Sequence, residues 1–193
     1  MTRLILEAST FPASWVFTQQ GQAVASGNLS GTVAATLVPS LQTLLPNPPA
    51  PSQILVGVGP GSFSGIRSAI ASAHGMAASW NCPVLPVRST GAIAYHYPDT
   101  PLLGIFSDAR RGDIFATFYS MGKLHTPTQV HPATSLPSLL SRCTLAVTSD
   151  ALQGVEKKMS THATDIASYL QTHELEPDLP LEPIHLRPIM ATK

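Results

Sequence analysis

The 193-residue chain carries eleven basic and eleven acidic residues, no net charge and a pI near 7.1. That balance excludes a chain that by itself grips a nucleic-acid backbone, which needs a clustered excess of Lys and Arg. No uncharged apolar run approaches the roughly 20 residues of a membrane helix, the N-terminus reads as a strand rather than a signal peptide, and Cys82 and Cys143 form no C-x-x-C pair, so a soluble, cytoplasmic protein with reduced thiols is expected.

Residues 3–9, 14–20 and 22–28 read as three strands joined by short polar or proline-containing turns, an antiparallel meander. A helix is predicted over 32–45, with Val33, Leu37, Leu41 and Leu45 in one stripe and Thr32, Thr36, Ser40 and Thr43 opposite. Pro39 is expected to kink it or start a new turn, and the prolines of 46–51 end it. A strand at 53–58 runs through a glycine turn into a helix at 64–80. A strand at 83–87 and a helix near 90–96 come next. After Thr100 the pattern restarts. Strands at 102–109 and 113–121 flank a tight Arg110-Arg111-Gly112 turn, then come a short helix at 136–140, a strand at 144–150 and a helix around 164–172. The tail is proline-punctuated and extended. This order predicts an α/β protein of two consecutive lobes, with mixed sheets and helices on their faces. Residues 1–100 form the N-terminal lobe and residues 101–193 a reduced C-terminal lobe with its tail; the repeat is one of element order, not of sequence.

The charges are unevenly placed. From Ala8 to Ile66 there is no Asp, Glu, Lys or Arg, and up to Pro98 only Arg67 and Arg88 interrupt the neutral stretch. Charged residues are rarely buried, so an ordinary surface is rich in them. Either the first half has a neutral polar surface, or a partner covers part of it.

The segment "GVGPGSFSGIRSAIASAHG" concentrates the candidate chemistry. Gly57, Gly59, Gly61 and Gly65 permit close backbone approaches, and a turn emptying into a helix N-terminus suits an anion. The spacing matches neither phosphate fingerprint. A P-loop needs Lys after its last glycine, where Ile66 stands, and the dinucleotide pattern needs two residues between its last glycines, where Gly61 and Gly65 leave three. The competing reading is a packing turn with Ser62 or Ser64 as the helix cap. Within the helix, Ala69, Ala73 and Ala77 recur every four residues, and Arg67 is its single formal charge. Small residues at that spacing admit a second helix, either the one at 32–45 or another protein's. Arg67 sits in the first turn, where the helix dipole disfavours a cation, so a carboxylate or phosphate partner is expected unless it reaches into water.

These residues resemble a known family. "GPGSFSGIRSAIASAHGMA" resembles the "GPGSFTGLR" segment of the TsaB/YeaZ proteins, "RLILEAST" their opening strand, "SDARRGDIFATFY" their "DARRxEVY" hairpin, and "EPIHLR" their closing "P-x-Y-L-R". The four segments come in the family's order and cover most of the chain. The resemblance implies an actin-like, ribonuclease-H-like fold and a part in making N6-threonylcarbamoyladenosine in tRNA. It implies a scaffold without catalysis of its own, which pairs with the catalytic TsaD subunit through its N-terminal helices and supports the ATPase TsaE. On this reading the partner interface comprises Val33, Leu37, Leu41, Arg67, Ala69, Ala73, His74 and Ala77. In isolation the same face would pair with a second copy, and tRNA would be met only through the complex. The chain brings no cofactor of its own; ATP or ADP at the complex interface would meet Glu7, Gly59, Gly61, Ser62, Ser64, Gly65, Asp108, Arg110 and Arg111. The sequence departs from the family at Glu7-Ala8, where Asp-Thr is usual, at Val33 for His, at Ser64 for Thr and at His185 for Tyr.

Other chemistry is weaker. The seven histidines form no H-E-x-x-H or H-x-x-x-H pair, so no metal site is expected. Asp108 and Asp113 have arginines between them, and read either as local ion pairs in a turn or as part of a cleft where Arg110 or Arg111 meets a nucleotide or a carboxylate. The alternatives to a scaffold are a small actin-like ATPase or kinase working in the cleft, and a purely homodimeric interaction protein.

Overall fold

Strand β1 (Thr2–Glu7) points Leu4 and Leu6 to one face and Ile5 to the other, and all three are buried. A strand apolar on both faces belongs inside a sheet. In the computed structural model, which describes residues 1–150 and 152–184, β1 is the central strand of five. β2 (Ser14–Gln19) and β3 (Gln22–Asn28) extend it as the antiparallel meander expected. β4 (Gln53–Gly57) and β5 (Val84–Val87) continue it in parallel on the other side, giving the order β3-β2-β1-β4-β5. Helices α1 (Val33–Leu44) and α2 (Phe63–Trp80) cover one face, packing on Leu4, Leu6, Trp15, Phe17, Ile54 and Val56. Pro39 neither ends α1 nor begins a new turn: the helix runs through it, on the exposed side.

Helix α3 (Ser89–Tyr95) leads from the first sheet to the second: Ala92 packs with the first lobe, Ile93 and Ala94 with the second. The second sheet contains β6 (Leu103–Arg110), β7 (Asp113–Ser120), β8 (Lys123–Pro132) and β9 (Leu145–Thr148), in the order β8-β7-β6-β9, with α4 (Leu136–Leu140) before β9. β8 was not legible in the sequence. It is an edge strand whose inward side is Leu124, Thr126, Thr128 and Val130, half of it polar, and Pro127 falls on its exposed side. An edge tolerates the missing amide.

The chain then returns. α5 (Ala163–Tyr169) places Ala163, Ile166 and Ala167 on the far face of the first sheet, against Ile5, Val16, Leu55 and Val87. A division at residue 100 therefore separates the two sheets, while residues beyond 160 rejoin the first. Of the "EPIHLR" segment, Glu182, Pro183 and Ile184 are described; His185, Leu186 and Arg187 lie outside the described residues. No helix among the described residues is long and apolar enough to cross a membrane.

Candidate functional site

The two helices of the first lobe are built around each other. Val33, Leu37 and Leu41 of α1 and Ala69, Ala73 and Ala77 of α2 are all buried in one cluster with the sheet, Ala69 and Ala73 completely. The expectation that these six face a partner is therefore corrected. The alanine stripe is what lets α1 and the sheet close on α2, because small side chains bring the backbones together. A partner cannot touch it.

The outer sides of the same helices remain open. α1 exposes Ala34, Ala35, Val38, Pro39, Gln42 and Thr43; α2 exposes Phe63, Arg67, Ala71, His74, Gly75 and Ala78. Of the predicted interface residues, Arg67 and His74 are the two on this surface. In place of the carboxylate or phosphate expected for it, Arg67 lays its guanidinium over the Phe63 ring, 5.5 Å from the centroid, a cation–π contact. Across both helices Arg67 is the single formal charge.

Between the lobes lies a cleft of about 1190 Å³. One wall is the turn after β1 (Ser9, Thr10, Phe11) with the start of α2 (Gly61 to Gly65). The facing wall is the β6–β7 turn (Asp108 to Arg111) with Ser149, Asp150 and Lys158. The cleft thus opens at the carboxyl ends of β1, β4 and β6, the usual position for ligands in open α/β sheets. It gathers Gly61, Ser62, Ser64, Gly65, Asp108, Arg110 and Arg111, seven of the nine predicted nucleotide contacts. Asp108 is partly committed within its own turn: Oδ1 accepts the Arg110 amide at 2.7 Å and Oδ2 pairs with Arg110 Nη1 at 3.0 Å. Asp150 accepts the Asp108 amide at 2.9 Å. The turn and the cleft wall are one structure, so the two readings of this hairpin meet in it.

The other two predicted contacts, Glu7 and Gly59, do not line the cleft. Three amides of the glycine turn are already bound within the protein. Ser89 Oγ accepts the Gly59 amide at 3.0 Å, the Ser9 carbonyl accepts the Ser62 amide at 2.7 Å, and Ser62 Oγ caps α2 by accepting the Gly65 amide at 3.2 Å. A Cβ on Gly61 would overlap the Ser9 carbonyl, and one on Gly65 that of Ala8. Glycine is needed there because the helix start is pressed onto the turn after β1. The turn is a packing device first. Beneath it, Glu7 is 1% exposed. Its Oε1 accepts the Ser9 amide at 2.5 Å, Oε2 has no partner, and a Cβ on Gly57 would overlap Oε2. Burial pushes its carboxyl above the ordinary value, against the lowering effect of the Ser9, Ser89 and Thr161 hydroxyls and the Ser9 amide.

Sequence reasoning passed over Arg88, although it is one of two charges in the neutral stretch. Its side chain is buried, makes a bidentate pair with Glu176 (2.9 and 2.8 Å), and reaches Thr128 Oγ1 of β8 at 3.4 Å. Burial works against the charge, and the Glu176 carboxylate more than offsets it, leaving the guanidinium's pKa raised. One residue thus ties the end of β5 to the second sheet and to the segment after α5 that carries Glu176. Phe11, 80% exposed at the cleft mouth, gave no periodic signal and was also missed. Among the described residues no three His, Cys, Asp or Glu side chains gather as metal ligands would.

Two mixed sheets of matching strand order, facing across a cleft with the chain passing between them twice, define a two-lobed, actin-like α/β protein. Residues 35–131, half of the chain, match the family model described as TsaD, tRNA N6-adenosine threonylcarbamoyltransferase, and the chain belongs to this family. Among solved structures it is similar to YeaZ from Pseudomonas aeruginosa, at 23% identity and TM-score 0.69, over 88% of this chain and 90% of that one. It is also similar to an uncharacterized protein with similarity to peptidase YeaZ from Pseudomonas aeruginosa, at 22% identity and TM-score 0.70, over 96% and 99%. The fold is that of YeaZ, in agreement with the TsaB/YeaZ resemblance of the motifs. Among curated proteins none matches this sequence.

Proposed function

We propose that the chain is the non-catalytic partner subunit of an assembly that forms N6-threonylcarbamoyladenosine in tRNA. It pairs with a catalytic TsaD-type subunit, supports docking of a TsaE-type ATPase, and meets tRNA only through that assembly, in the cytoplasm. Family membership suggests the reaction. The observation that carries the role is the outer face of α1 and α2: exposed, formed of small or neutral side chains, and charged only at Arg67. A surface so depleted of charge resembles the core of a protein interface more than a solvated face. The interface is thereby assigned to Val38, Phe63, Arg67, Ala71, His74 and Ala78.

The test is co-purification and titration with the TsaD-type protein of the same cell. Val38→Glu with Ala71→Arg should weaken binding at least a hundredfold while the melting temperature stays within about 2 °C. Equal binding by this variant would overturn the assignment. Pairing of the isolated chain with itself through the same face would appear as a dimer that the variant abolishes.

A nucleotide in the cleft is the second reading, favoured by Arg110, Arg111 and Lys158 opposite the Ser62-capped start of α2. In the scaffold reading ATP or ADP binds there only in the complex. ATP turnover by the isolated chain would establish a small ATPase or kinase instead.

A further inference from the structure

The second passage of chain between the lobes is tied at both ends. On the second-lobe side, the Thr148 amide donates to the Lys157 carbonyl at 2.8 Å and the Met159 amide to the Thr148 carbonyl at 2.9 Å. On the first-lobe side, Thr161 Oγ1 lies 3.0 Å from both Ser9 Oγ and Thr10 Oγ1, the Thr10 hydroxyl donates to the Thr161 carbonyl at 3.1 Å, and the Ala163 amide donates to Ser14 Oγ at 3.0 Å. Ser9, Thr10, Lys158 and Ser160 border the cleft, so this crossing sets how its walls meet. Directly behind the Ser9–Thr161 contact is the Glu7 carboxyl, with its unpartnered oxygen.

Four elements close on Glu7: the turn after β1 with Ser9, β4 with Gly57, the start of α3 with Ser89, and the crossing with Thr161. β2 places Ser14 opposite it in register. Of the charged or titratable groups on these elements, Lys157 lies over the Tyr97 ring, 4.7 Å from its centroid, and Lys158 borders the cleft. Arg88 is bound to Glu176 and Thr128, and His162 holds Asn28 and Thr164 at 2.7 Å each. Among the described residues the carboxyl is therefore surrounded by hydroxyls and backbone.

We propose that Glu7 is the pin of this crossing: as a neutral acid it keeps the turn after β1 against Thr161, and on losing its proton to solvent it releases residues 157–163 and lets the cleft open. The physical reason is the orphaned oxygen. An ionised carboxylate needs more donors than the one amide Oε1 receives, so the Ser9, Ser89 and Thr161 hydroxyls must turn toward it or water must enter; either loosens the crossing, the element held to that site by side-chain hydroxyls rather than by a strand ladder. Burial holds the acid neutral beyond the ordinary carboxylate range, so the release falls at higher pH.

The test is hydrogen exchange of the full chain from pH 5 to 9.5, corrected for intrinsic exchange rates. Protection of residues 157–163 should fall with rising pH, by up to about tenfold per unit for one linked proton, while β1 and β4 stay protected. Glu7→Gln, which keeps the shape and removes the titration, should hold the acid-side protection throughout. Thr161→Val, with Glu7 intact, should show the released crossing at every pH. Four results would each overturn the proposal. They are a flat wild-type profile, a wild-type slope that persists in Glu7→Gln (the mark of His162 or another group), acid-side protection retained in Thr161→Val, and loss spreading equally to β1 and β4.

Discussion

The order β3-β2-β1-β4 in the first lobe is matched by β8-β7-β6-β9 in the second, so β1 and β6, and β4 and β9, hold equivalent places. The segments after equivalent strands differ. After β3 comes α1, twelve residues without a charge; after β8 come a 3₁₀ turn and α4, five residues long. After β4 a glycine turn opens α2, eighteen residues long; after β9 stand Ser149 and Asp150 and, among the described residues, no helix until α5, which packs on the first sheet instead. The same winding therefore yields one lobe with two long helices outside that share a single charge, Arg67, and another whose turns bring charge to the cleft. Strand patterning sets the winding, whereas the use of each lobe depends on which side chains lie on its helices and turns.

The largest effect separates the two sides of α2. Ala73→Arg forces a charged chain into a closed core and should cost more than about 4 kcal/mol, enough to unfold the lobe. Ala78→Arg, on the open side, should stay within about 0.5 kcal/mol. Urea titrations of both variants decide it, and equal costs would break the division of α2 into an inner and an outer side. Next is the tie between lobes. Arg88→Ala leaves the Glu176 carboxylate unpaired; because that side chain is 35% exposed, water recovers part of the loss. A cost of about 2 kcal/mol is expected, with loosened second-lobe amides.

Glu7→Gln sharpens the comparison through pH. With its pKa raised on folding, the native state holds more protons than the unfolded chain above the ordinary value of 4.5. Its contribution is thus fully present below that pH and is lost as pH climbs toward the native pKa, with a slope of at most about 1.4 kcal/mol per unit. Denaturation midpoints of the Gln variant should lack this slope and exceed wild type at alkaline pH. The smallest effect belongs to the second-lobe turn. Arg110, Arg111 and Gly112 all have positive φ (64°, 56° and 81°), and the two-residue Arg111-Gly112 loop is one that favours Asn-Gly. Arg111→Asn should stabilise by about 0.5 kcal/mol, read as a rise in melting temperature of a few degrees.

The sequence by itself determined the two α/β lobes, the β1–β3 meander, the helical stripe of Val33, Leu37 and Leu41, and the glycine turn with its capping serine. These are local: period, turn chemistry and capping are set by neighbours along the chain. The resemblance of its motifs to the TsaB/YeaZ family, rather than any local pattern, placed Gly61, Ser62, Ser64, Gly65 and the Asp108–Arg111 hairpin at one site. Whether Ala69, Ala73 and Ala77 meet a sister helix or another protein was open, because a helix pattern reports that a face is covered and not by what. The tertiary structure decided that, turning six interface candidates into core. It also decided what no local pattern carries: the return of α5 to the first sheet, the Arg88–Glu176 tie and the Thr161–Ser9 contact. Each joins residues more than 70 positions apart, where hydroxyls and single charges have no periodicity to announce them.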